Sequence, residues 1–192
     1  LAVGSKRVER MVDALQVINH FGGRLQVAVV CGKDENLFRE LKSFDWHIPA
    51  HIYEYSDDMP ILMKAADLIL CKAGGLIVTE SLASGLPMLL IEIIPGQETG
   101  NAEYVTSFGA ADLAETPMML LESLSHLMKD NKVLLEKRAV NARSLGQPES
   151  ANSIADILWN AAQSSNFKKT TYRRHRLPML ENLTEILKDR QP

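Results

Sequence analysis

Between positions 8 and 18, apolar residues recur at helical spacing as Val8, Met11, Val12, Leu15 and Ile18, and Gly22-Gly23 interrupts the pattern. A helix buried on one face and ended by the glycines is expected. Residues 25–30, LQVAVV, form a short β-branched run closed by Gly32, the pattern of a buried strand. A second helix carries Leu37, Phe38 and Leu41, and residues 50–55, AHIYEY, make a strand between Pro49 and the turn formers Ser56-Asp57-Asp58. Residues 59–66 are helical and 68–71 are a strand. Residues 76–84 are helical with Gly85 as the stop, and Pro87 opens a strand over 88–94. A helix over 101–108 stops at Gly109, and 110–114 is a small-residue strand.

This alternation of strand and helix, with strands apolar on both faces, predicts an α/β fold: a Rossmann-like parallel sheet with helices on both faces. Beyond Thr116 the strand pattern ceases, and 117–128, 132–145 and 149–163 read as helices. The expected organisation is a Rossmann-like domain over 1–148 followed by C-terminal helices and a basic tail over 149–192. Because Val3-Gly4-Ser5 runs directly into a helix, a strand and most of a glycine loop are expected upstream of residue 1. Gly4 and Ser5 then read either as the remainder of a phosphate loop or as an ordinary helix start with Ser5 as N-cap.

Composition narrows the chemistry. With 21 basic and 24 acidic residues the net charge is −3, which gives no global attraction to nucleic acid or to an anionic membrane. Cys31 and Cys71 each close an apolar run and read as small core residues of a reducing compartment. No run of about eighteen apolar residues occurs, and no secretory signal pattern is visible. The five histidines are scattered without metal-ligand spacing, so no zinc site is expected. Neither a Gly-x-Ser-x-Gly nor a Walker sequence is present. Lys168, Lys169, Arg173, Arg174 and Arg176 form a basic run around Tyr172, readable as a surface for anionic headgroups or as a solvated tail. After it, Leu177, Met179, Leu180, Leu183, Ile186 and Leu187 offer a last apolar helix face.

The loops that follow the strands carry the candidate site. In an open parallel sheet, ligands bind beyond the carboxyl ends of the strands, where helix N-termini direct free N–H groups outward. Lys72-Ala73-Gly74-Gly75 occupies such a place, and glycines there let backbone amides approach a diphosphate, although a Gly-Gly pair alone is equally a tight turn. Glu80, about one turn into the next helix, can accept both hydroxyls of a ribose or stand as an exposed first-turn carboxylate. After the next strand, Pro95-Gly96-Gln97-Glu98 and Asn101 combine a sharp turn with amide and carboxylate groups suited to sugar hydroxyls.

Taken together, KAGGLIVTESLASGLPMLL and PGQETGNAEYV resemble the C-terminal, nucleotide-sugar-binding half of the glycosyltransferases that make monogalactosyldiacylglycerol in plastids and processive glucosyl-diacylglycerols in Gram-positive bacteria. The resemblance runs from about Val3 to about Leu145 and includes VVCGKDENL at 29–37. It implies the second Rossmann-like domain of a GT-B architecture. Carried over by position, Gly74, Gly75 and Leu76, with Lys72 and Ala73, cradle the diphosphate of UDP-galactose or UDP-glucose, Glu80 holds the ribose, and Pro95, Gly96, Gln97, Glu98 and Asn101 face the donor sugar. The loop around Tyr53 and Tyr55 clasps the uracil; relatives tend to carry a glycine there, where this chain has YEYS. The resemblance further implies a lipid acceptor such as diacylglycerol and no cofactor or metal. It places the general base in an N-terminal domain outside this sequence and the enzyme peripherally on a cytoplasmic or plastid membrane face. A UDP-sugar epimerase of the same architecture, or a UDP-sugar-binding subunit completed by a membrane-anchored chain, are the alternatives.

Overall fold

The computed structural model describes residues 10–22 and 24–163. Gly4, Ser5, Val8, Gly23, the basic run and the last apolar pattern lie outside the described residues. The elements, in chain order, are α1 (Met11–Asn19), β1 (Val27–Val30), α2 (Glu35–Lys42), β2 (Ala50–Tyr53), α3 (Met59–Ala65), β3 (Ile69–Lys72) and α4 (Gly75–Ser84). There follow β4 (Met88–Glu92), α5 (Thr99–Ser107), β5 (Ala111–Leu113), α6 (Pro117–Met128), α7 (Val133–Leu145) and α8 (Ser150–Gln163). The chain divides into two compact units, Leu1–Pro148 and Glu149–Pro192.

Within the first unit all strand pairs are parallel: β1 with β2, and β3-β4-β5 in that order. The single sheet expected from the alternation is therefore two ladders among the described residues. A cavity of about 870 Å³ is lined by Val27 and Val30 of β1 on one ladder and by Ile69 and Leu70 of β3 on the other. Alternation along the strands serves both faces. Leu89 and Ile91 join a core with Met11, Leu15, Leu37, Leu41, Leu120 and Leu127, whereas Met88 and Leu90 join a second core with Met63, Val78, Leu82, Ala102 and Val105. Helices α1, α2 and α6 thus serve one core and α3, α4 and α5 the other, which is why the strands read as continuous apolar runs.

Local chemistry sets the helix boundaries. Asp34 accepts a hydrogen bond from the Leu37 amide at 2.9 Å and starts α2, and Thr116 accepts from the Met119 amide at 3.2 Å and starts α6, with Pro117 in the first turn. Gly85 and Gly109 end their helices with φ of 69° and 68°, a left-handed conformation that a side chain disfavours. Cys31 and Cys71 are buried, and burial pushes their thiols up to about 11 and about 12, consistent with packed core residues. Residues 25–26, 54–55 and 93–94, expected in strands, lie outside the ladders, because a strand extends only as far as its neighbour pairs with it.

The rim of the β3-β4-β5 sheet is fastened from the side. Arg138 of α7 donates from Nε to Asp112 Oδ2 at 3.0 Å and from its guanidinium to the Gly109 carbonyl at 3.2 Å, with both charged side chains largely shielded from solvent. Arg138→Ala is expected to cost about 1–2 kcal/mol, because it leaves the Asp112 carboxylate without its donor, whereas the Gly109 carbonyl keeps the bond from Asn141 Nδ2 at 2.9 Å. A urea melt compared with wild type checks this, and an unchanged midpoint would show the pair to be idle.

The second unit is described through α8 alone. Ile154, Ile157, Leu158 and Ala161 recur at helical spacing along it. No helix among the described residues is long and apolar enough to cross a membrane.

Candidate functional site

β3 and β4 are neighbours and run parallel, so their carboxyl ends deliver the following loops to the same edge. From β3 the chain passes through Ala73 and Gly74 into α4. Gly74 is extended, with φ −66° and ψ 140°, and no side chain caps the helix. The first turn of an α-helix has N–H groups without intrahelical acceptors, and here none is met by a capping side chain. They form a site of positive partial charge that suits an anion. The half-buried Lys72 precedes the turn.

From β4 the chain turns sharply. Gly96 has φ of 78°, in the left-handed region, and its amide donates to Thr99 Oγ1 at 3.0 Å. The Glu98 amide donates to the Ile94 carbonyl at 2.9 Å. Glu98 is only 3% exposed, and its Oε2 accepts from the Ile94 amide at 3.0 Å. The carboxylate expected at the sugar thus has one oxygen engaged within its own loop, while Oε1 lies against Gly74. Asn101 Nδ2 donates to the Ala73 carbonyl at 2.9 Å and bridges the two loops.

The remaining predicted residues are distributed along this edge. Gly75, Leu76 and Glu80 are exposed on the first turns of α4, Pro95 to Gln97 stand on the β4–α5 turn, and Tyr53 and Tyr55 are 38% and 65% exposed at the end of β2 and just beyond it. The Asn101–Ala73 bond joins the two loops, and Glu98 Oε1 and Asn101 Nδ2 lie against the open faces of Gly74 and Gly75, each 3.6 Å from where a Cβ would stand. One residue escaped the sequence reading. Glu92 closes β4, and its Oε2 is buried without a hydrogen-bond partner. Its signal was a single carboxylate within the apolar run 88–94, at the edge where ligands bind.

Residues 2–162 match the family model described as glycosyltransferase family 28 C-terminal domain. The chain belongs to this family. It is 35% identical over 138 residues to monogalactosyldiacylglycerol synthase 3 of Arabidopsis thaliana, covering 72% of this chain and 30% of that protein. To monogalactosyldiacylglycerol synthase 1 of the same plant it is 30% identical over 156 residues, covering 81% of this chain and 29% of that protein. The chain therefore spans less than a third of the length of these relatives. Among solved structures, MurG of Acinetobacter baumannii superposes with a TM-score of 0.67 at 25% identity, over 83% of this chain and 49% of that one. MnaA of S. aureus, solved with UDP, superposes at 0.60 with 16% identity, over 84% of this chain and 45% of that one, a likeness of fold.

Proposed function

We propose that this domain is the donor-binding part of a UDP-sugar-dependent, inverting hexosyltransferase that transfers galactose or glucose to diacylglycerol. The observation that carries the reading is the uncapped first turn of α4, set against the polar turn after β4 at one edge of the sheet. Family membership and the synthase relatives support the same reaction class.

In this reading the free amides of Gly74, Gly75 and Leu76, with that of Ile77, receive the diphosphate. As the bond from the anomeric carbon to its oxygen breaks, negative charge grows on the departing UDP, and fixed amide dipoles stabilise it without reorganising. Glu80 accepts the ribose hydroxyls, while Tyr53 and Tyr55 lie beside the base. Pro95, Gly96 and Gln97 shape the sugar pocket. A base from the rest of the protein takes the proton of the acceptor hydroxyl, which attacks from the face opposite UDP and inverts the anomeric centre. Neither metal nor cofactor enters this scheme, and a diacylglycerol acceptor places the enzyme at a membrane surface.

Calorimetric titration with UDP tests the proposal. Wild type is expected to bind saturably, and Glu80→Ala to bind about ten- to a hundredfold more weakly, the loss of hydrogen bonds to a charged acceptor. A folded wild type that takes up no UDP, or an alanine variant of equal affinity, counts against the assignment.

A further inference from the structure

We infer that Asn101 is a positioning residue: its side-chain amide fixes the plane of the Ala73–Gly74 peptide and thereby aims the Gly74 N–H at the donor diphosphate. This rests on the donor-site reading above.

Ala73 is held from two directions. Its amide donates to the Glu92 carbonyl at 3.2 Å, and its carbonyl accepts from Asn101 Nδ2 at 2.9 Å, 28 residues away in sequence. The residue itself is completely buried. The peptide joining Ala73 to Gly74 is planar, and no described bond is cis. The Ala73 carbonyl and the Gly74 N–H therefore point in opposite directions, and whatever grips the oxygen sets the direction of the hydrogen.

That grip is needed because of the residue on the other side. Gly74 lacks a Cβ, so it opposes rotation of the peptide plane less than any other residue type. The surroundings restrain it only loosely: a Cβ at Gly74 would meet Glu98 Oε1 at 3.6 Å, an ordinary contact. Glu98 is in turn held by the Ile94 amide, so the first turn of α5 supplies both a wall and a hydrogen bond to the α4 loop. The loop's glycine gives close approach to an anion, and Asn101 restores the order that glycine gives up. An amide engaged in this way acts on the phosphates through Ala73, whereas a sugar contact would act on the hexose directly.

The two roles separate in a binding series. Asn101→Ala and the nearly isosteric, uncharged Asn101→Leu are titrated with uridine, UDP and UDP-galactose. Thermal melts confirm that each variant is folded. Positioning predicts that UDP and UDP-galactose weaken together, by about five- to tenfold, while uridine is unchanged. Weakening of UDP-galactose alone makes Asn101 a sugar contact and overturns the inference, as does equal weakening of uridine or no change at all. If wild type fails to bind UDP, the donor-site reading falls on its own, and the peptide-plane claim is decided by the ¹⁵N amide spectrum. The Gly74 resonance should then shift or broaden in both variants while those of Leu86 and Ala110 stay in place. An unmoved Gly74 overturns it.

Discussion

Gly75→Asp is expected to remove the affinity for UDP by about two to three orders of magnitude while leaving the fold intact, because the position is open to a side chain and closed to a negative charge. A Cβ at Gly75 would meet only Asn101 Nδ2, at 3.6 Å, which is ordinary van der Waals contact. The residue opens α4, where an acidic side chain interacts favourably with the helix dipole, so the melting temperature should stay within about 3 °C of wild type. A diphosphate on the same amides would face the new carboxylate. At about 4 Å and an effective dielectric constant of about 20, each pair of like charges costs about 4 kcal/mol, reduced by screening at an open edge. Gly75→Asn is the control, with the same shape and no charge, and should lose far less. A folded aspartate variant that binds UDP as wild type does would move the diphosphate away from α4.

Gly146→Ala is expected to be the most destabilising conservative change in the first unit. Gly146 follows α7 and lies directly on the backbone of α4: a Cβ there would fall onto the Leu82 carbonyl oxygen, 2.8 Å from the Leu82 carbonyl carbon and 3.1 Å from Ala83 Cα. These are main-chain atoms of a helix and cannot rotate aside as the end of a long side chain would. Either α7 or α4 must shift, at a cost of about 3 kcal/mol, which corresponds to a melting temperature lower by about 6–12 °C. Thermal denaturation followed by circular dichroism measures it. A loss below about 2 °C would mean that the two helices separate readily. The glycine has φ of about −65°, so its requirement is close approach and not backbone conformation.

How far the sequence foretells this molecule depends on the range of the interactions involved. Gly85 and Gly109 were legible as helix stops because a left-handed cap is a local demand that one residue type meets best. The apolar runs at 68–71 and 88–94 announced strands buried on both faces, and Leu89 and Leu90 indeed serve opposite cores. The division of the sheet was not legible, since it depends on which strands find each other across the fold. The link between α6 and α7 was also hidden: Asp130, Asn131 and Lys132 all have positive φ without a glycine to signal it. At the site, the Gly74-Gly75 turn and the polar turn at 95–98 were visible as motifs. The inward turn of Glu98 was not, because the Ile94 amide that draws it in becomes available only once the turn has formed. Asn101 read as one polar group among several; its tie to Ala73 spans 28 residues and exists only when β3 and β4 lie side by side.

The outermost strand of the three-stranded sheet has a bearing on how the protein behaves among its own copies. A free sheet edge is a template on which another chain can lengthen the ladder, and long, flat, apolar edges are where such growth begins. β5 offers only three residues, and the central one, Asp112, is bound by Arg138 from the flanking helix. A newcomer would gain few main-chain bonds and would have to settle beside a fixed ion pair. The guanidinium that secures the rim therefore also makes it a poor starting point for strand-by-strand polymerisation.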